Sequence, residues 1–201
     1  GGNMKNKNDR KDIERVLDLI AEAGKLKYIK RSGWWMLGIP REESVADHSF
    51  RCAVIGYIIA RMEKADTGKV LLMTLFNDIH EARINDLHKV AHKYLDVRTA
   101  ERKAFAEQIE GLMDELKDDL NAARREYDTQ KTDESVIARD ADILECLVQC
   151  KEYVDQGFPS AKKFFRKGPS LLVTKSAREL WSAVGDWDSN AWWEKLGEFE
   201  R

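Results

Sequence analysis

Proline is scarce in this chain, with three residues in 201. An interior proline removes an amide donor and clashes with the preceding helical turn, so its scarcity leaves room for long helices. Cysteine is equally rare: Cys52, Cys146 and Cys150. An odd count, with two of the three one turn apart in an apolar pattern, argues against a disulfide framework and for buried thiols in a reducing compartment. No apolar run approaches the roughly 18 residues that a membrane helix needs, and no membrane partner is expected. A dominant charge is missing too, since 34 basic and 36 acidic residues leave a net charge of −2. Such balance gives no overall field for gripping a nucleic-acid backbone, so extended nucleic acid is not an expected partner. The opening Gly1-Gly2-Asn3-Met4-Lys5 has no signal-peptide character and reads as a cloning remnant ahead of Met4. The expected location is the cytoplasm.

What is present is helical periodicity. Hydrophobic residues make up 43% of the chain, enough for a continuous core in one domain. Ile13, Val16, Leu17 and Ile20 form one apolar stripe ending near Gly24. A helix from about Val45 to Met62 should carry Val54, Ile55, Ile58 and Ile59 inward. The next, capped by Asp66 or Thr67, has Val70, Leu71, Leu75 and Phe76 as its core. A charged helix is expected from about Val97 to Tyr127, burying Phe105, Ile109, Leu112, Met113 and Leu116. Another runs from about Asp133 to Val154, with Asp47 and Asp133 as helix caps. Trp181, Trp187, Trp192 and Trp193 should pack across the bundle. The expectation is an all-α, single-domain bundle over residues 1–201.

Three polar clusters interrupt these apolar helices. They are Glu43-Ser44-Val45-Ala46-Asp47-His48-Ser49, then Phe76-Asn77-Asp78-Ile79-His80-Glu81 continuing to Asp86, and Arg139-Asp140-Ala141-Asp142-Ile143-Leu144-Glu145. Divalent metals take carboxylate oxygens and imidazole nitrogens, and converging helices can supply both. Asp78 and Glu81 are three residues apart and share a helical face, so one could ligate metal while the other handles a proton. Singly, none of these residues is diagnostic.

Their order is. With Arg31-Ser32-Gly33-Trp34, Asp86-Leu87 and Glu126-Tyr127, the segments resemble the HD-domain superfamily of metal-dependent phosphohydrolases over residues 26–153. Within it they are most similar to the deoxynucleotide 5′-monophosphatase branch. That resemblance implies a helical bundle of the HD type, with helices 154–201 packed on it. It implies a divalent ion (Co, Mn, Zn, Mg or Fe) at His48, Asp78 and Asp142, with position 77 as fourth ligand. Glu81 becomes the acid/base, and Asp86 orients substrate or the attacking water. Arg31 meets phosphate, Trp34 meets sugar or base with Trp35 left to packing, and Glu126 is a further substrate contact. The implied reaction is hydrolysis of a nucleoside 5′-monophosphate to nucleoside and phosphate, by an enzyme that is often a homodimer.

One position departs from the pattern. The family's His-Asp pair is here Asn77-Asp78, and an amide is a poor ligand for these metals. Moving the pair to His80-Glu81 restores a histidine but misplaces Glu81 and Asp86, so that register is rejected. Asn77 is either an introduced inactivating change or a natural one; the intact remainder of the site favours the former. Two alternatives therefore stand: a nucleoside triphosphate triphosphohydrolase, and a catalytically inactive nucleotide-binding protein. His88 and His92, the run Lys117–Arg125, and the basic group Lys162, Lys163, Arg166 and Lys167 are read as solvated faces.

Overall fold

Good capping sequences begin the long helices. In the computed structural model, which describes residues 7–197, the Ser44 side chain accepts from the Asp47 amide while Asp47 accepts from the Ser44 amide. This reciprocal box starts α3 (Val45–Glu63) and puts His48 in its first turn. The cloning remnant expected at residues 1–3 lies outside the described residues. Preceding α3 are α1 (Lys7–Lys25) and the short α2 (Ser32–Trp35). Asp66 caps α4 (Thr67–Phe76), followed by the single turn α5 (Glu81–Ile84). Next come α6 (Val97–Ile109), α7 (Asp114–Thr129) and α8 (Asp133–Asp155). Short 3₁₀ turns at Pro159–Arg166 and Gly168–Leu171 lead to α9 (Lys175–Val184) and α10 (Ala191–Leu196). Among the described residues there is no strand, only an isolated bridge between Lys30 and Ser44. Among the described residues no helix is long and apolar enough to cross a membrane.

The bundle is organised on α8. Its Ile137, Ala138, Ala141, Leu144 and Leu147 share one core with Cys52, Ile59 and Ala60 of α3, Val70 and Met73 of α4, and Ala177 of α9. Small residues let these axes approach: a Cβ on Gly56 would lie 3.0 Å from Val70 and 3.1 Å from Thr74. That close crossing brings the start of α3, the end of α4 and the middle of α8 together. Asp140 serves the fold, accepting from the Val173 and Thr174 amides and from the Thr174 hydroxyl where α9 begins. Thr132, not Asp133, caps α8.

Several expected faces are turned. On α3 the buried side is His48, Cys52, Ala53, Gly56 and Ile59, while Val54 and Ile58 are exposed. Small residues that permit close packing decide the inner face, against the more apolar stripe beside it. On α1 the inward residues are Val16 and Leu19, while Ile13, Leu17 and Ile20 face out. Leu75 is likewise exposed. The single charged helix expected from Val97 to Tyr127 is two, broken at Gly111 with φ +76°. Arg15 completes the break by donating to the Glu110 carbonyl at 3.0 Å, and Met113 is left half-exposed. Of the C-terminal tryptophans, Trp181 packs against Phe165, whereas Trp187, Trp192 and Trp193 are exposed.

Candidate active site

His48 projects from the first turn of α3 and is fully enclosed. Its Nε2 lies 3.1 Å from Asp142 Oδ1 on α8 and 3.6 Å from Asp78 Oδ2, just beyond α4. Two ligands of one ion, with bonds of about 2.0–2.2 Å, stand about 3.0–3.5 Å apart, so Nε2 is spaced from each carboxylate much as a co-ligand of one divalent cation would be. The sequence separates His48 from Asp142 by 94 residues, and the α3–α8 crossing removes that distance. Burial and the nearby Arg31 cation push the His48 pKa down, but Glu145 and Asp142 outweigh them and lift it to about 10. Burial opposes ionisation of Asp142, yet the His48 hydrogen bond and charge hold it well below the carboxylate range. Asp78 is pushed upward, by burial first and then by Asp142. Asp142, whose charge favours a proton on His48, would equally favour a metal cation there.

Asn77 stands at the cavity wall beside this triad, but its amide nitrogen donates to Asp78 Oδ1 at 2.8 Å. A carboxamide could ligate only through its oxygen, a weaker donor than imidazole nitrogen for these metals. Position 77 is the weakest donor of the four.

The far side of His48 is also charged. Its Nδ1 is hydrogen-bonded to Glu145, which is fully buried. Glu43, His48 and Glu145 present three ligand-type atoms within 4.8 Å of one another. The Arg51 guanidinium lies 2.8 Å from Glu145 and 3.9 Å from Glu43, so a cation already neutralises this cluster. Burial, then the Glu145 charge, lift Glu43 to about 7.

Glu81, Asp86 and Arg31 line the cavity of about 730 Å³ onto which Asp78 and Asp142 also face. Burial raises the Glu81 pKa well above its ordinary value, and the Asp78 and Asp86 charges add to it. Glu81 Oε2 is buried with no hydrogen-bond partner among the described residues, as expected of a group whose partner is a ligand. Asp86 Oδ2 accepts from the Ser32 amide at 2.7 Å and so fixes the turn that carries Arg31. Arg31 Nη1 lies 3.8 Å from Asp78, and despite burial the surrounding acids raise its pKa.

Other expectations are displaced. Glu126 is not on the cavity wall: it accepts from the Thr132 hydroxyl at 2.7 Å and faces Lys69. One residue along α7 turns the chain by about 100°, so its neighbour Tyr127 lines the site instead and reaches Asp142 at 3.3 Å. Arg124, placed by sequence on a solvated face, is largely buried over Phe105 and donates to the Asn77 carbonyl. His88, half-buried, and His92, exposed as expected, both border the cavity. Their ring nitrogens are engaged locally, by the Ala91 amide and the Leu87 carbonyl. His80 faces Arg124 and Glu101, and burial followed by the Arg124 charge lowers its pKa to about 4. Lys162, Lys163, Arg166 and Lys167 are exposed as expected. Phe164 between them reaches the cavity, a contribution from beyond residue 153 that no sequence motif announced.

The tryptophans divide unexpectedly. Trp34 is 1% exposed, wedged between Tyr153 and Phe164, with its indole N–H donating to Glu43 at 2.9 Å. Trp35, expected to pack, is 49% exposed against His88. Trp34→Ala should therefore cost about 3–5 kcal/mol, the loss for emptying an aromatic site. Thermal melts check this, and a loss below about 1 kcal/mol would overturn it. Any role of Trp34 in deoxyribose preference is better read in Trp34→Phe, which keeps most of the volume.

A family described as HD domain matches residues 23–181. A 5′-deoxynucleotidase HDDC2 of Dictyostelium discoideum is 30% identical over 153 residues, 72% of this chain and 80% of that protein. The Homo sapiens protein of the same name is 27% identical over 141 residues, 70% and 69% of the two chains. Among solved structures, a conserved hypothetical protein from Pyrococcus furiosus is 35% identical with a TM-score of 0.71. It matches 85% of this chain and 99% of its own. A Magnetospirillum magnetotacticum protein described as a predicted metal-dependent phosphohydrolase shares the fold: TM-score 0.69, 24% identity, 87% and 91% covered.

Proposed function

The chain belongs to the HD-domain family, and from that premise we propose that it is a 5′-deoxynucleotidase, cleaving deoxynucleoside 5′-monophosphates to nucleoside and phosphate. The observation that carries this reading is that His48 lies 3.1 Å from Asp142 and 3.6 Å from Asp78, two carboxylates that face a cavity also lined by Arg31 and Glu81. A divalent ion (Co, Mn, Zn, Mg or Fe) held by the triad would supply positive charge against the phosphoryl oxygens and lower the pKa of water.

The remaining work falls to the chain's own groups. Arg31 offers a planar fork to two phosphate oxygens, and Asp86 holds the backbone that aims it. Water attacks phosphorus as the bond to the 5′-oxygen breaks. Glu81, whose raised pKa favours a proton, gives it to the departing 5′-oxygen and receives one from the attacking water. His88, Lys89 and His92 border the cavity. The protein acts in the cytoplasm as a homodimer, with a nucleotide as its partner.

Two alternatives have an observation each. Lys89, Arg98 and Arg102 also line the cavity and could meet additional phosphates, as a triphosphohydrolase requires. Asn77, bonded to Asp78, favours a silent nucleotide-binding protein. Deoxynucleoside mono- and triphosphates, with ribonucleotide controls, should be screened against each metal. Phosphate release from monophosphates, with at least tenfold preference for deoxyribose, is expected. Triphosphate release would replace this reading, and saturable binding without turnover in any metal would favour the silent one.

A further inference from the structure

The buried carboxylate behind the metal-type triad has no part in the chemistry above, yet it is among the most enclosed charges described. We propose that Glu145 is a positioning residue. It holds His48 by Nδ1–H so that the Nε2 lone pair is aimed between Asp78 and Asp142, and Arg51 clamps Glu145 for this task. The inference rests on the metal-site reading.

Each part of the relay has its geometry. One oxygen of Glu145 accepts the hydrogen bond from His48 Nδ1–H, and the other accepts from Arg51 Nε at 2.9 Å and faces Nη2 at 2.8 Å. The guanidinium is itself anchored: Nη1 donates to Glu152 at 2.8 and 3.0 Å, and Nη2 to Gln149. On α8, Glu145, Gln149 and Glu152 recur at helical spacing; on α3, His48 and Arg51 are three apart. Two helices thus present matched faces of one charge network along their crossing.

An imidazole has two nitrogens, and only the one without a proton can ligate. A carboxylate on Nδ1 fixes the tautomer and ring plane and makes Nε2 a stronger donor, and loss of such a partner typically costs about 10–100-fold in metal affinity. A simple packing role would not require a buried carboxylate backed by an anchored arginine. Removing Arg51 would leave Glu145 buried and unpaired. The network also reaches the substrate side, because Arg51 lies 3.9 Å from Glu43, the acceptor for Trp34.

The test uses Glu145→Gln, which keeps size and an acceptor but loses the charge, and Glu145→Asp, which keeps charge but shortens the reach. Both are made in the chain as it stands and with Asn77→His. Zn²⁺ and Co²⁺ affinities are measured by calorimetry, thermal melts report folding, and proton NMR follows the His48 ring with Zn²⁺ bound. We expect Glu145→Gln to lose at least tenfold in affinity and the far-downfield Nδ1–H resonance, with a smaller loss for Glu145→Asp. A folded Glu145→Gln protein with affinity within twofold of its parent and an unchanged Nδ1–H signal would overturn the proposal. If the Asn77→His parent binds metal but cleaves no nucleotide, the nucleotidase reading fails and the Glu145 result still stands or falls on affinity.

Discussion

Asn77→His is expected to raise divalent metal affinity by about 100-fold or more and, with it, phosphate release from deoxynucleoside monophosphates by a similar factor. His48 Nε2 already stands 3.1 Å from Asp142 and 3.6 Å from Asp78, so the substitution adds a nitrogen donor beside them. Asn77 has φ −52° and ψ −50° at the end of α4, a conformation that histidine adopts without strain. Its side chain borders the cavity, which leaves room for an imidazole. The change also frees Asp78 Oδ1 from the amide that now donates to it. Imidazole nitrogen is the better donor for Zn, Co and Mn.

Calorimetry with Co²⁺ or Mn²⁺ measures the affinity directly. Metal at 100 times its dissociation constant should stabilise the folded state by about 2.7 kcal/mol. For a domain of this size that is a rise of about 5–10 °C in Tm. If the variant binds metal tightly yet hydrolyses no nucleotide, the nucleotidase proposal is lost and the metal centre remains. If it binds no metal, the alignment that put Asn77-Asp78 at the ligand pair is wrong.

How far the sequence carried depended on how local each feature is. The helical character of α3 and α8 was legible because apolar spacing is a property of one segment. Which face of α3 turns inward was not, because Gly56 wins the interface through closeness to Val70 and Thr74 of another helix. The grouping of His48, Asp78 and Asp142 was suggested by the order of their motifs. Glu145 stood in the same quoted run, but its task depends on the crossing that sets it against His48 and Arg51. Glu126 and Tyr127 were read as a pair, and a single helical step sends one to the Thr132 cap and the other to Asp142. Phe164 and Arg124 had no signature at all; a 3₁₀ turn and a cation–aromatic contact bring them to the cavity.

Arg31→Ala separates phosphate recognition from metal binding, because the two effects should have opposite signs. Arg31 lies 3.8 Å from Asp78, and its charge is stabilised by Asp78, Asp142 and Asp86 as well as opposed by burial. A guanidinium gripping two phosphate oxygens through charge-assisted bonds contributes about 3–5 kcal/mol, so its loss should lower kcat/KM by about 100-fold or more. The same deletion removes a cation that competes with a divalent ion for the Asp78 carboxylate. Metal affinity in the Asn77→His background should therefore hold or tighten, by up to about tenfold. Arg31→Lys keeps the charge but not the fork and should fall between the two in kcat/KM. Metal binding by calorimetry and nucleotide kinetics at saturating metal read the two effects independently. Weakened metal with an unchanged KM would make Arg31 a support for the acidic cluster, and phosphate recognition would then have to come from Arg124, Arg139 or the basic side chains at the cavity mouth.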